Sequence, residues 1–405
     1  MSAASEKPRA CPRDPRLDFF RGLGMIFILI AHIPWSSWTE WLPARFGFSD
    51  SADMFVFCSG MASAIAFGSV FTEAGWLMGT ARIAYRAWQV YWAHICSFIA
   101  VVALLTAADA WFGGDHYVRE EVYLVNFLAA PQVFLPRLLA MTYVPGSFDI
   151  LPMYLVILGM TPIVMALARV HLSLVAAFSA TLWLAANYGG LELTADASDA
   201  RTWFFNPFAW QIVFLTGFAF ASGWLPAPPR GGPLLAAAIA LLLLAAPVGC
   251  QEGFGCYAGF GHAPLLGRIH DWLGPWIDKH NMGLLRYAHF LAAAYVAFLL
   301  AGESGRNLKG KVADIIRRVG QQTLAVFLAQ LVIAQAMGIL MDVIGGTVNN
   351  LSGRSYWITA FANLLGIGLL VAVAVVVGWF KSSPWRRPGK DAAACVPPVA
   401  SARTF

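Results

Sequence analysis

Ten stretches of about 17 to 25 mainly apolar residues constrain this 405-residue chain more than any other feature. A helix of about 20 such residues crosses the ~30 Å hydrocarbon core of a bilayer. Hydrophobic residues make up 59% of the sequence and charged residues 12%, which excludes a soluble protein with a polar surface. We therefore predict an all-α, polytopic integral membrane protein with about ten transmembrane helices. The predicted spans are 17–34, 52–71, 87–108, 150–168, 171–188, 207–225, 233–249, 285–301, 320–344 and 356–380.

The distribution of basic residues predicts the orientation of these spans. An even number of spans puts both termini on one side of the membrane, and lysine and arginine mark the cytoplasmic side. Most of the 27 basic residues fall in the two tails and in the loops 72–86, 169–170, 226–232 and 302–319. Both termini are therefore predicted to be cytoplasmic. The predicted division is a basic tail (1–16), one transmembrane domain (17–380) and a disordered tail (381–405).

The two longest connections are predicted on the opposite, exocytoplasmic side. They cover 109–149 and 250–284, and they either fold over the membrane surface to accept a polar ligand or act as plain connectors. Within the first, 122–142 is predicted to be interfacial or re-entrant. In the second, Cys250 and Cys256 are close enough for a disulfide, which the sequence neither requires nor excludes. No zinc-binding spacing occurs, so no metal site is predicted.

The first span carries ionisable residues at both ends, in "RGLGMIFILIAH". Arg21 and His32 are eleven positions apart, which places them about 20° apart around a helix and ~16 Å apart along it. Asp18 lies one turn before Arg21 and could form an ion pair with it. Ionisable residues at membrane depth are costly, so a functional role is the default hypothesis. The alternatives are that Arg21 only fixes topology and that His32 only contacts a loop.

Two carboxylates follow at the predicted exocytoplasmic start of the second span. Asp50 and Asp53 would lie near His32 if the first two spans form a hairpin. A carboxylate beside an imidazole fixes its tautomer and stabilises its cation, as a general base requires. One of the two acids is expected to cap the second helix and the other, preferably Asp53, to be the partner of His32.

A pair of arginines is predicted at the cytoplasmic entry of the third span. Arg82 and Arg86 in "RIAYRAW" are four positions apart and share a helix face. Together with Arg21 they would form a polyanion site suited to phosphates. The alternative is that they only follow the positive-inside rule.

These motifs resemble a known family. The Arg-x10-His spacing, "FVFCSG" and "RIAYRAW" resemble the membrane acyltransferases that move acyl groups from cytoplasmic acyl-CoA to exocytoplasmic carbohydrate. More closely, "LDFFRGLGMIFILIAHIP" and "FGFSDSADMFVFCSGMASAIAFG" are similar to the OpgC family, linked to succinylation of osmoregulated periplasmic glucans. Further similar blocks are "LPMYLVILGMTPIV", "NPFAWQIVFLTG" and "VGQQTLAVFLAQ", so the resemblance extends to about residue 345.

The resemblance implies a function and roles for the residues named above. The expected activity is O-acyl transfer in the bacterial inner membrane, from acyl-CoA, with succinyl-CoA preferred, to a periplasmic glucan or related carbohydrate. His32 would be the catalytic histidine, and Arg21 would contact the CoA phosphates with Arg82 and Arg86 as helpers. Acyl-CoA is then a substrate, and no permanently bound cofactor is expected. No nucleic-acid partner is expected either, because the basic residues are dispersed among loops.

Two other classes of function remain open at this point. His32 and the nearby acids could form the proton relay of a transporter, although no internal repeat is visible between the chain halves. The chain could also be a non-catalytic partner of a glucan synthase. Selection of a succinyl group would need a cation near its distal carboxylate, and Arg45, Arg286 and Arg354 are the candidates.

Overall fold

A computed structural model describes residues 14–196, 201–249, 264–345 and 355–385, and these ranges are predominantly helical, as predicted. A two-stranded antiparallel sheet pairs β1 (Thr194–Asp196) with β2 (Arg201–Thr202). The helices are α1 (Pro15–His32), α2 (Ser51–Glu73), α3 (Gly75–Phe112), α4 (His116–Glu120), α5 (Val122–Ala129), α6 (Pro131–Leu139), α7 (Ile150–Val170), α8 (Leu172–Tyr188), α9 (Pro207–Ala221), α10 (Pro233–Gly249), α11 (Pro264–Ile277), α12 (Leu284–Ala301), α13 (Lys311–Gln321), α14 (Thr323–Gly345) and α15 (Tyr356–Lys381).

Each of the ten predicted spans overlaps one of these helices, and the ninth (320–344) covers the end of α13 as well as most of α14. The helices differ in length and hydropathy. In the described ranges, six are long and apolar enough to cross a membrane: α2, α3, α7, α12, α14 and α15. Three more, α8, α9 and α10, are apolar but shorter, and α1 carries Arg16, Asp18 and Arg21 in its first two turns. The chain is therefore a multi-pass membrane protein. The count of ten and the cytoplasmic termini stay predictions.

The prediction that 72–86 forms a loop is wrong. Only Ala74 separates α2 from α3, and α3 continues for 38 residues, about 57 Å at 1.5 Å per residue. Arg82 and Arg86 therefore lie within a continuous helix. The segment 122–142, predicted to be interfacial or re-entrant, forms the short helices α5 and α6.

Several predictions fall on residues outside the described ranges. These are the disulfide between Cys250 and Cys256, the candidate cation Arg354, most of the basic N-terminal tail and most of the C-terminal tail.

Glycines allow close backbone contact at two helix crossings around the first hairpin. On α1, a side chain at Gly22 would overlap the Ile316 carbonyl of α13, and one at Gly320 of α13 would overlap the Asp18 carbonyl of α1. This close approach positions α1, which also packs against α2 and α14. One helix of the candidate site is thus held by backbone contact on one side and by apolar packing on the others.

The crossing of α2 and α9 is built in the same way. A side chain at Gly60 of α2 would overlap the Phe214 carbonyl, and one at Gly217 of α9 would overlap the Phe57 carbonyl. Because small residues let two backbones approach closely, membrane helices associate through such positions. The crossing holds the middle of α2 against the second half of α9.

Gly60→Ala is expected to destabilise the protein because the new methyl group would meet a backbone carbonyl that cannot turn away. Overpacking of this kind typically costs about 1–3 kcal/mol in the free energy of unfolding. Gly68→Ala, on the same helix, is the matched control because its methyl group would meet no atom within 4 Å. Thermal unfolding of both variants in detergent tests this crossing, and equal midpoints would contradict it.

Candidate functional site

His32 is the last residue of α1 and is half-buried. Its Nδ1 lies 2.7 Å from the carbonyl oxygen of Ile28, one turn earlier on the same helix. Because a carbonyl only accepts hydrogen bonds, Nδ1 must carry the proton, and in the neutral ring Nε2 then carries the lone pair. A backbone carbonyl therefore fixes the tautomer, where a carboxylate was predicted.

Asp50 and Asp53 both belong to the N-terminal cap of α2. Asp50 Oδ1 accepts a hydrogen bond from the Ala52 backbone N–H (2.8 Å), and Asp53 Oδ2 accepts one from the Asp50 N–H (2.8 Å). This reciprocal arrangement is a capping box. The capping role predicted for one of these acids is confirmed, and it involves both.

The partner of Asp53 is Arg286 of α12, and not His32 as predicted. Arg286 Nη2 lies 2.5 Å from Asp53 Oδ2, and Nε lies 3.2 Å from Asp53 Oδ1, a bidentate pair. Arg286 Nη2 also lies 3.1 Å from Asp50 Oδ2, and Nη1 donates to the Phe48 carbonyl at 2.5 Å. Asp53 is fully buried. Its carboxylate is thus committed to the guanidinium and to the cap, which corrects its assignment as the partner of the imidazole.

Asp50 also forms an ion pair with a second cation, Lys279. The Lys279 Nζ lies 2.6 Å from Asp50 Oδ2. Burial alone would raise the pKa of Asp50, but Lys279 and Arg286 hold the pKa of this carboxyl well below its usual range. Asp50 therefore stays ionised. Lys279 and Asp50 are also the charged groups that interact electrostatically with the His32 imidazole. Because the first turn of α2 packs against α1, where Met54 would contact a side chain at Gly24, the Asp50–Lys279 ion pair lies at the same end of the first hairpin as His32.

The loop between α11 and α12 positions Lys279. The Lys279 carbonyl accepts a hydrogen bond from Trp210 Nε1 (2.9 Å), and the neighbouring His280 carbonyl accepts one from the Asn206 N–H (3.2 Å). The Lys279 ammonium lies 5.6 Å and 5.5 Å from the ring centroids of Phe204 and Phe205. The start of α9 thus anchors the backbone of this lysine over the start of α2.

A second buried contact holds the segment before α2 against α12. Ser49 Oγ lies 2.8 Å from His289 Nδ1, and the His289 ring occupies the space that a side chain at Gly47 would need. Ser49, Asp50 and Asp53 therefore all contact α12 or the loop that precedes it. The entry to α2 is fixed from outside the first hairpin.

Arg21 lies on α1 towards the predicted cytoplasmic end and is half-buried. Since α1 continues unbroken from Pro15 to His32, the two residues keep the predicted common face and an axial separation of ~16 Å. Arg21 interacts electrostatically with Cys58 of α2. Asp18 is buried, and its backbone meets α13 at Gly320. Arg21 thus lies about three turns before His32, next to the crossing of α1 and α13 at Gly22.

Arg82 and Arg86 lie on α3, on the same face as predicted. Arg82 is exposed, and Arg86 Nη1 donates a hydrogen bond to Gln89 Oε1 (3.2 Å) on its own helix. The main packing partners of α3 are α2, α7 and α14. The convergence of this pair with Arg21 stays a prediction.

A second acidic group adjoins the Lys279 loop. Asp149, directly before α7, accepts a hydrogen bond from the Phe204 N–H (3.2 Å). Burial raises the pKa of Asp149 to about 7, although the Phe204 hydrogen bond and the charges of Arg201 and His280 act in the opposite direction. His280 Nε2 lies 3.3 Å from Glu192. Polar groups from three connecting segments therefore meet next to the candidate site.

Sequence reasoning missed Arg286 as the partner of Asp53, and it missed Lys279 entirely. Arg286 lies in the apolar helix α12, and an arginine in such a helix is a signal for a buried acidic partner. From that signal, Arg286 could have been predicted to pair with an aspartate and not only to bind the substrate. Nothing in the sequence around Lys279 distinguishes it from other loop lysines.

Comparison with known proteins identifies the family. The sequence model of the family described as OpgC protein matches residues 13–382, nearly the whole chain. The chain belongs to the OpgC family. No curated protein and no solved structure matches it. The resemblance predicted from the first hairpin is confirmed, and OpgC membership points to a membrane acyltransferase.

The OpgC match contains every described helix. It begins two residues before α1 and ends one residue after α15. His32, Asp50, Lys279 and Arg286 therefore all lie in the family region, although they come from distant parts of the chain.

Proposed function

We propose that this OpgC-family protein is an O-acyltransferase of the bacterial inner membrane. It transfers an acyl group, by resemblance a succinyl group, from cytoplasmic acyl-CoA to a hydroxyl of a periplasmic glucan or related carbohydrate. The observation that carries the proposal is the arrangement on α1. There, His32 has its Nδ1 bound to the Ile28 carbonyl, and Arg21 lies on the same face ~16 Å away.

The donor would enter from the cytoplasm with its phosphates on Arg21. Arginine binds phosphate through several N–H donors in a fixed plane, which suits it to this role. The ~16 Å from Arg21 to His32 is comparable to the length of an extended pantetheine arm. Asp18 would orient Arg21, and Arg82 and Arg86 would add positive charge at the entry. The thioester then lies at His32 while the nucleotide stays on the cytoplasmic side.

The acceptor hydroxyl would lose its proton to His32 Nε2, the nitrogen left with a lone pair. The hydroxyl oxygen forms a bond to the thioester carbonyl carbon, and the carbon–sulfur bond breaks. The imidazolium returns the proton to the departing thiolate, so the products are an ester and free CoA. Attack by His32 itself, giving an acyl-imidazole that the hydroxyl then opens, is the two-step variant of the same reaction.

The ten-span topology is part of this proposal, because it puts the acceptor and the donor on opposite sides. With cytoplasmic termini, the ends of α1 and the starts of α2, α9 and α12 face the periplasm. His32, Asp50 and Lys279 would then lie below the periplasmic surface. The starting turns of α1 and α14 would face the cytoplasm.

Purified protein in proteoliposomes tests the proposal. Succinyl-CoA is enclosed in the vesicles, glucan oligosaccharides are added outside, and ester-linked succinyl groups are measured by mass spectrometry with free thiol as a second readout. Succinylated oligosaccharide is expected outside and free CoA inside. Vesicles that release no thiol and form no ester would overturn the assignment as an acyltransferase. Vesicles that instead move glucan or protons without forming an ester would favour the transporter.

Arg21→Gln tests the donor site separately. Loss of a charged hydrogen bond to phosphate, worth about 1.5–3 kcal/mol, is expected to raise KM for succinyl-CoA by roughly ten- to a hundredfold. A truncated donor, the succinyl thioester of N-acetylcysteamine, has no phosphates and should react equally with the variant and the wild type. Arg82→Gln and Arg86→Gln, measured in parallel, show whether α3 contributes. An unchanged KM for succinyl-CoA in the Arg21 variant would remove this residue from the donor site.

A further inference from the structure

The two cations at the start of α2, Arg286 and Lys279, differ in exposure and in the number of protein groups that they contact. Arg286 has a side chain that is only 6% exposed, and its guanidinium contacts Asp53, Asp50 and the Phe48 carbonyl. Lys279 has a side chain that is 35% exposed, and the carboxylate that it contacts is Asp50. Lys279 can therefore be reached by a ligand, whereas Arg286 is committed to the protein.

Lys279 is also held at the end of the first hairpin where His32 lies, because it pairs with Asp50 at the start of α2, and the first turn of α2 meets α1 where Met54 would contact a side chain at Gly24. It interacts electrostatically with His32, and its backbone is anchored by Trp210. A lysine ammonium has three N–H donors on a flexible stem, so it can bind a second carboxylate while its main chain stays fixed. Arg45, a candidate from the sequence, lies in the short 3-10 helix Pro43–Arg45 with Glu40 as its electrostatic neighbour.

Asp50 keeps a cation when Lys279 turns towards a ligand. Its Oδ2 lies 3.1 Å from Arg286 Nη2, in addition to the contact with Lys279. Turning the ammonium away therefore does not leave a buried carboxylate without a positive partner, which would be costly. The Asp50–Lys279 ion pair can open at lower cost than the Asp53–Arg286 pair.

We propose that Lys279 determines which acyl group is transferred, by binding the distal carboxylate of a dicarboxylic acyl donor whose thioester lies at His32. This inference rests on the proposed acyltransferase function. In a succinyl group, two methylenes separate the thioester carbonyl from the carboxylate, so the recognising cation must lie close to the attacked carbon. Lys279 meets this condition because its partner Asp50 caps α2, whose first turns pack against the helix that ends at His32. Arg286, the candidate cation in α12, instead binds Asp53 and Asp50 and so holds the start of α2 in place.

The test compares two donors of equal carbon number on the full-length protein. Succinyl-CoA ends in a carboxylate and butyryl-CoA ends in a methyl group, and kcat/KM is measured for both. In Lys279→Met, the ratio of succinyl to butyryl transfer is expected to fall by roughly ten- to a hundredfold, because only the succinyl donor loses a charged contact. Lys279→Arg, which keeps the positive charge, should restore most of the preference. Lys279→Gln can still hydrogen-bond to Asp50 and replaces the methionine variant if that variant fails to fold.

Each other outcome contradicts a specific part of the argument. If both donors lose activity equally in a folded variant, Lys279 stabilises the reaction centre or the fold and does not select the acyl group. An unchanged ratio would likewise overturn the inference while leaving the acyltransferase intact. If the wild-type protein transfers neither acyl group, the proposed acyltransferase function itself fails. This outcome is distinguishable from a failure of the Lys279 inference because it is seen in the wild type alone.

Discussion

His32→Ala is expected to lower acyl transfer by about 10²–10⁴-fold, the range that a positioned general base contributes. The reason is the fixed tautomer. Nδ1 donates to the Ile28 carbonyl, so Nε2 is the nitrogen that can take the proton of the acceptor. Alanine removes this group and leaves the rest of α1 in place. The measurement is the rate of ester formation on glucan oligosaccharide, with released thiol as a second readout.

The control for this variant is another histidine on the same predicted side of the membrane. His116 in α4 lies 3.4 Å from Glu120 and takes no part in the site. His116→Ala should therefore keep wild-type activity. Full activity in a correctly inserted His32→Ala protein would remove the imidazole from the reaction. An initial burst of thiol without acceptor, present in the wild type and absent from the variant, would identify the acyl-imidazole route.

The first hairpin shows how far the sequence alone can determine a membrane site. Arg21 and His32 flank an apolar run with no proline, so the helix had to continue between them, and their common face followed from the helical repeat. The other predicted spans each overlap a helix for the same reason, since long apolar runs have few alternatives in a bilayer. Local sequence was sufficient wherever a single helix fixed the geometry.

The partners of the two aspartates could not be predicted in the same way. Asp53 and Arg286 are 233 positions apart, and their contact depends on how α12 packs beside α2. The expectation that a carboxylate would bind His32 rested on the hairpin alone. Because a cation from another helix and the capping box occupy Asp53, that expectation was wrong for this residue. Tertiary packing decided which group each carboxylate binds.

The misplaced start of the third span has a different cause. Arg82 and Arg86 interrupt the apolar pattern, so hydropathy predicts the boundary of the membrane-spanning part and not the end of the helix. A helix satisfies its own backbone hydrogen bonds and can continue into water. The segment contains no proline to end it, and α3 accordingly begins at Gly75.

The second large effect is expected at Arg286. Arg286→Met would leave Asp53 fully buried without its guanidinium partner, and breaking such a pair typically costs about 3–5 kcal/mol in the free energy of unfolding. Asp53→Asn is expected to cost less, since an asparagine oxygen can still accept the Asp50 N–H in the cap. The measurement is thermal unfolding in detergent, followed by tryptophan fluorescence.

The double variant Asp53→Asn with Arg286→Met separates the ion pair from the other roles of each residue. Removing both charges avoids the unpaired buried carboxylate, so the double variant should be more stable than Arg286→Met alone. Arg119→Met is the matched control because Arg119 pairs with Asp115 and both side chains are more than 70% exposed. Such an exposed pair contributes at most about 1 kcal/mol. Additive effects of the two single changes would show that Asp53 and Arg286 are not coupled, and the start of α2 would then be held to α12 mainly by the contact of His289 with Ser49.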